Sequence, residues 1–383
     1  MELNDNMVTT FLKLVSSALW AKLLSWNGRT MSHQQFLSLM QLAQEQAVVG
    51  LVSQGLMDSG VRLEREDALN LFALQQGIRQ RNRVMDEAVV QLCKMMNNHG
   101  IRFFVFKGQT IATYYHDSSL RQSGDIDFYV YPDGWDKALS LFRNELGISI
   151  NDLHSSKDVG FEWNGVLYEM HRQITLFTYP PHSRYWKKTV MPEIMASPYL
   201  VNIDGCEIPT LTPTYNALFI FIHIFQHLIA DGIGLRQFCD WALLLNNIHN
   251  EKLIGNEEGC DDLFEVEILE RHLKGLGLRK AYSGLGAILT DYLELSEECF
   301  PFAISDTDHR RVTSLWNNML KMGNFGHNVE YKHSNMMAHG LEHVLRMTKQ
   351  SRELYHYAPA EAWWHIPNIF KWWGMKIWRM MRR

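Results

Sequence analysis

Residues 103–130, FFVFKGQTIATYYHDSSLRQSGDIDFYV, constrain this chain more than any other stretch. Phe103, Phe104, Val105 and Phe106 form a short apolar run closed by Lys107-Gly108, the pattern of a buried strand ending in a tight turn. Thr110 to Tyr115 contains no helix breaker, so a helix of about two turns is expected just past Gly108, its free N–H groups facing the strand end. A glycine and a lysine at such a helix start suit a phosphate chain. Over Asp125 to Val130, period two sends Asp125, Asp127 and Tyr129 to one face and Ile126, Phe128 and Val130 to the other. Carboxylates leaving one strand in the same direction repel unless solvated, protonated or sharing a cation. Hard oxygen ligands at this spacing suit Mg²⁺ or Mn²⁺, which usually also binds substrate phosphates.

A third acid is expected further on. Asn164-Gly165 between alternating runs signals a two-residue type I′ hairpin, pairing Trp163 with Val166, Glu162 with Leu167 and Phe161 with Tyr168. The face carrying Phe161, Trp163, Val166, Tyr168 and Met170 must be core. The other carries Glu162, Leu167, Glu169 and His171. Glu169 is the expected third acid, with Glu162 as the alternative.

Together, Lys107-Gly108-Gln109, Arg121-x-x-Gly124-Asp125-Ile126-Asp127 and Tyr168-Glu169-Met170-His171 resemble the DNA polymerase β-like nucleotidyltransferase superfamily, specifically its bacterial branch of nucleotidyltransferase-like proteins. The resemblance covers residues 101–175 and continues more weakly through Gly234 to Trp241. It implies transfer of a nucleoside monophosphate from an NTP co-substrate to an acceptor hydroxyl. Asp125, Asp127 and Glu169 would be the catalytic and metal-holding acids, with Mg²⁺ or Mn²⁺ as cofactor. Lys107, Gly108, Gln109, Arg121 and Gly124 would meet the nucleotide. Arg121, four residues before Asp125, either clamps a phosphate or neutralises the paired acids. Gln109 stands where serine is usual, so an inactive nucleotide-binding or regulatory module with the same fold remains the alternative. No residue names the acceptor.

The expected fold class is α/β (α+β): a small mixed sheet forming a nucleotidyltransferase core, flanked by N- and C-terminal helical regions. The 383 residues divide as an N-terminal helical region (1–100), the core (101–209), a helical domain (210–325) and a helical C-terminal region (326–383). Helices are expected over 7–26, 32–56, 65–98, 133–146, 215–230, 235–248 and 264–295, with loops at 177–182 and 194–198. The formal net charge of −5 argues against broad nucleic-acid binding. Five widely spaced cysteines without a CxxC pair indicate neither a disulfide framework nor a zinc knuckle, and a reducing cytoplasm is the simpler location. Met1 to Asn6 lacks the features of a secretory signal, and the apolar run 217–230 falls short of the ~20 residues of a membrane span.

His223 and His227 are four apart, with Asp231 four further on. The motif lacks the glutamate of a zinc protease, so these histidines read either as zinc ligands or as hydrogen-bonded groups between the helical domain and the sheet. Arg236 and Asp240 share that spacing, as an ion pair or as contacts to nucleotide or acceptor. Arg79, Arg81 and Arg83 form a solvated face or a phosphate contact, and residues 322–327 form a turn or a ligand loop. The glycines at 275, 277, 284 and 286 permit close helix packing. The tryptophan-rich, basic amphipathic tail at 361–383 either lies on an anionic membrane as a peripheral anchor or docks on the protein or a partner.

Overall fold

The computed structural model describes residues 5–26, 28–150, 157–230, 232–254, 264–324 and 336–381. Asp231, one of the five cysteines (Cys260), residues 325–327 and three side chains of the tryptophan-rich tail (Trp372, Trp373 and Trp378) lie outside that description. The chain opens with α1 (Asp5–Leu19), α2 (His33–Glu45), α3 (Val49–Ser59) and α4 (Arg65–Asn98). Ser32 and Gln35 form a capping box that starts α2. The single helix expected over 32–56 is instead broken, because Ala47 takes φ 56°, a left-handed conformation that a continuous helix does not contain. α4 has the expected bounds, and Gly100, at φ 58°, turns the chain away after it.

The sheet follows as β1 (Phe103–Phe106), α5 (Gly108–Ala112), β2 (Asp125–Val130), α6 (Trp135–Ser140), β3 (Asp158–Trp163) and β4 (Val166–His171). Its order is β1-β2-β4-β3, mixed as expected: β2 and β4 are parallel and the other neighbours antiparallel. Asn164 (φ 51°) and Gly165 (φ 74°) give the hairpin both positive φ values of a type I′ turn, and the register pairs Trp163 with Val166 as counted. α7 (Pro180–Tyr185) and α8 (Met191–Ala196) lie where loops were expected. Pro180 and Pro181 sit in the first turn, where proline's missing N–H is no loss. A second hairpin, β5 (Tyr199–Ile203) and β6 (Cys206–Thr210), turns on Asp204 and Gly205, both at positive φ.

The remaining helices are α9 (Pro213–Ile229), α10 (Leu235–Ile254), α11 (Val266–Gly275), α12 (Arg279–Leu293), α13 (Asp306–Met322), α14 (Met336–Leu354) and α15 (Pro359–Met381). Thr212 caps α9 by accepting the Tyr215 N–H, and Pro213 fills its first turn. Ring contacts explain the α12 glycines: a Cβ at Gly284 or Gly286 would run into the Tyr357 or Phe300 ring. Among the described residues, no helix is long and apolar enough to cross a membrane. Glu361, buried in the first turn of α15, accepts from the Thr178 hydroxyl at 2.7 Å and the Thr178 N–H at 3.0 Å, and lies 2.7 Å from His182 Nδ1.

The two faces of the sheet join different cores. Ile126, Phe128, Tyr168, Met170 and Phe161 point into a cluster with Met85, Val89 and Leu92 of α4 and with Phe142. The stacked Phe161 and Tyr168 rings, centroids 5.4 Å apart, lock this face across the hairpin. Phe104, Phe106 and Tyr129 on the other face join a larger cluster dominated by α9 and α10. That cluster takes residues from all four expected segments, from Phe11 to Ala362. Because α9 lies over the face that also bears the acids, a polar cavity survives between them.

Candidate active site

Period two and the parallel pairing together build the acidic wall. Asp127 lies opposite Glu169 in the β2–β4 register, and Tyr129 opposite His171. One ligand atom from each of Asp127, Glu169 and His171 lies within 4.8 Å of the others. Asp125 is one alternation earlier on β2, opposite Leu167; it lines the same cavity without belonging to that tight group. Glu162 is exposed on β3, opposite Leu167, and does not line the cavity.

The cavity has a volume of about 610 Å³, within the range of small-molecule sites. Phe219, Ile220, His223 and His227 of α9 form the wall facing the sheet, and Arg236, Gln237 and Asp240 of α10 close one side. Lys107 sits between these walls. Its ammonium is 3.1 Å from Asp127 Oδ1, 5.4 Å from the Phe106 ring centroid and 5.8 Å from that of Phe219. Its backbone, at φ 63° and ψ −155°, occupies a region otherwise almost confined to glycine. Gly108 follows at φ 47°, so the Lys107-Gly108 turn is sharp, and α5 runs only five residues rather than the two turns expected.

Burial opposes the charge on Asp127, but the Lys107 ammonium and the His171 imidazole outweigh it, holding the carboxyl well below its usual range. His171 Nε2 lies 2.8 Å from the same Asp127 Oδ1 and 3.4 Å from Glu169 Oε2. Burial disfavours its charge too, yet the hydrogen bonds to Asp127 and Glu169 raise its pKa. Asp125 is raised, first by burial and then by the neighbouring Asp127 charge. Burial followed by Lys107 lowers both α9 histidines, His227 down to about 4, so they face the cavity as neutral rings, 4.4 Å apart.

The expected nucleotide-contacting residues divide. Lys107, Gly108, Arg121 and Gly124 line the cavity. Gln109 does not: its amide donates to Asp86 Oδ1 of α4 and accepts from the Ser123 hydroxyl, so its side chain braces the loop from behind. Arg121 lines the cavity but gives two arms of its fork, Nε and Nη2, to Asp240 at 2.8 Å each rather than to the paired acids. Tyr115 donates to the same carboxylate at 2.7 Å. Asp240 therefore pairs with Arg121 rather than with Arg236 at the i,i+4 position. Arg236 donates from Nη1 to the Gln122 carbonyl at 2.6 Å, and its Nε has no hydrogen-bond partner. Arg79 pairs with Asp117 at 2.8 Å and Arg81 donates to the Gly124 and Gly165 carbonyls, so both brace the loop and hairpin around the site.

A family model described as an uncharacterised nucleotidyltransferase matches residues 32–256. The chain belongs to that family. The match takes in every cavity-lining residue except Asn324. No curated protein matches the chain. Among solved structures, that of an antigenic nucleotidyltransferase-like protein from Paracoccidioides brasiliensis is similar at 12% identity and a TM-score of 0.34, over 55% of this chain and 92% of that one. In this nucleotidyltransferase-family chain, one site residue that sequence reasoning left without a role is His171. The signal was present, since His171 shares the strand face of Glu169 two residues on.

Proposed function

We propose that this chain moves a nucleoside monophosphate from an NTP to an acceptor hydroxyl, releasing pyrophosphate. The observation that carries this reading is the pairing of Asp127 with Glu169 across parallel strands, with Asp125 on the same face of one cavity. The order of a glycine turn, an acid-x-acid strand and a third acid on a later strand accords with a polymerase β-like ancestry.

The donor set fits a divalent cation: a carboxylate oxygen of Asp127 and one of Glu169, hard ligands on adjacent strands, lie within 4.8 Å of each other, and Asp125 lines the same cavity. Asp125, Asp127 and Glu169 would hold Mg²⁺ or Mn²⁺, which supplies charge neutralisation to the transferring phosphoryl group. Lys107 and Arg236, two cavity cations outside the Arg121–Asp240 pair, draw in and orient the triphosphate. Phe219 and Ile220 offer an apolar surface to the base or the acceptor. Glu169, 43% exposed, faces the incoming acceptor and takes the proton of its hydroxyl. The acceptor oxygen then bonds to the α-phosphorus as the bond to the bridging oxygen breaks, and pyrophosphate leaves with that electron pair.

An inactive nucleotide-binding module is the second reading, favoured by the engagement of Gln109 with Asp86 and Ser123 in place of a phosphate contact. Incubation with α-labelled NTPs, Mg²⁺ or Mn²⁺ and a cell-extract pool separates the two. Transfer of label with pyrophosphate release supports the transferase, and NTP binding without either supports the module.

A further inference from the structure

We infer that His171 is a metal ligand beside Asp127 and Glu169, and that its imidazole makes this a site for Mn²⁺ in preference to Mg²⁺. The inference rests on the nucleotidyltransferase reading of the same cavity and concerns which ion that cavity selects. Two carboxylates alone do not make it. What sets this cluster apart is a histidine side chain with no solvent exposure whose Nε2 is 2.8 Å from one acid and 3.4 Å from the other. Two donors at right angles on an octahedral ion, with bonds of ~2.1 Å, are about 3.0 Å apart. Both observed separations lie close to that value, so His171 and each acid are spaced as neighbouring donors to one ion.

The far side of the ring points the same way. His171 Nδ1 is buried with no hydrogen-bond partner, and Asp158 Oδ2 stands 3.7 Å behind it. A metal-bound imidazole commonly directs its other N–H toward a carboxylate, which fixes the tautomer and leaves Nε2 as the donor. The ring is held edge-on against Phe106, centroids 5.0 Å apart, and cannot swing out of the cluster without opening the core. Carboxylate and water oxygens serve Mg²⁺ and Mn²⁺ alike, whereas an imidazole nitrogen suits first-row transition ions, of which Mn²⁺ is the weakest binder, better than it suits Mg²⁺. A site of two carboxylates and one imidazole, completed by phosphate and water oxygens, therefore favours Mn²⁺ over Mg²⁺.

The test uses the full chain with one equivalent of MnCl₂, with and without a nonhydrolysable NTP. Pulsed electron paramagnetic resonance should show ¹⁴N coupling from a directly bound imidazole, lost in His171→Gln. In calorimetry the wild type should bind Mn²⁺ about tenfold tighter than Mg²⁺, and His171→Asp, which restores an all-oxygen set, should remove most of that preference. Bound Mn²⁺ without nitrogen coupling in the wild type overturns the inference while leaving the nucleotidyltransferase reading intact, and needs no variant to fold. Coupling that persists in His171→Gln without the NTP analogue assigns the nitrogen to another side chain of the cavity and overturns it as well. Failure to bind either ion, even with the NTP analogue, overturns both this inference and the reading beneath it.

Discussion

Replacing Arg121 by methionine should unfold this protein more readily without first weakening NTP binding. The Arg121 and Asp240 side chains are 5% and 6% exposed, and their fork-to-fork pair closes at 2.8 Å on both arms. Removing the guanidinium strands the nearly buried Asp240 charge, a loss of about 3–5 kcal/mol when one partner of a buried pair is deleted. The Tyr115 hydroxyl still donates to Asp240, which favours the lower end of that range. Asp240→Leu should cost a similar amount by stranding the cation. The double replacement, Arg121→Met with Asp240→Leu, should recover most of the loss, because a packed apolar pair replaces a buried ionic one at little net cost. Urea unfolding midpoints of the three variants, combined as a cycle, measure this directly. An Arg121→Met protein within ~1 kcal/mol of wild type but deficient in NTP binding would refute the structural role and restore Arg121 as a phosphate clamp.

Three further outcomes follow from the same geometry. Lys107→Gly should relieve a glycine-only backbone conformation worth ~1–3 kcal/mol, so the urea midpoint should hold despite the lost ion pair to Asp127. NTP affinity, measured by calorimetry, should fall about tenfold or more with the lost ammonium. Gln109→Ser should not improve NTP binding and should destabilise by ~1–3 kcal/mol, since Asp86 loses its donor and the Ser123 hydroxyl its acceptor; tighter binding in the same assay would show that Gln109 masks a phosphate subsite. Gly284→Ala drives a methyl group into the buried Tyr357 ring and should cost ~1–3 kcal/mol in thermal or urea unfolding, with unchanged stability counting against the α12 packing.

What could be read from the sequence was set by local rules. Asp125 and Asp127 share a face because strand side chains alternate, and Asn164-Gly165 fixes the hairpin register that puts Glu169 on the face opposite the apolar one. The same rule would have found β5 and β6 from Asp204-Gly205. What escaped depends on contacts far along the chain. Arg121 meets a carboxylate 119 residues away, which no spacing near Arg121 announces. Gln109 looks like a phosphate contact from its place in the turn, but α4 passes behind the loop and presents Asp86 to it. His171 reaches Asp127 only because β4 pairs in parallel with β2, a choice the hairpin itself does not determine. The Ala47 break in the second expected helix is likewise invisible to apolar periodicity, which continues through it.

The most direct measurement is calorimetric titration of a nonhydrolysable NTP into the wild type and Asp127→Ala, each with and without Mg²⁺ or Mn²⁺. Binding to the wild type should require the ion, and Asp127→Ala should show none although it remains folded. Undiminished, ion-independent binding to Asp127→Ala would contradict an acid-held cation as the centre of this site.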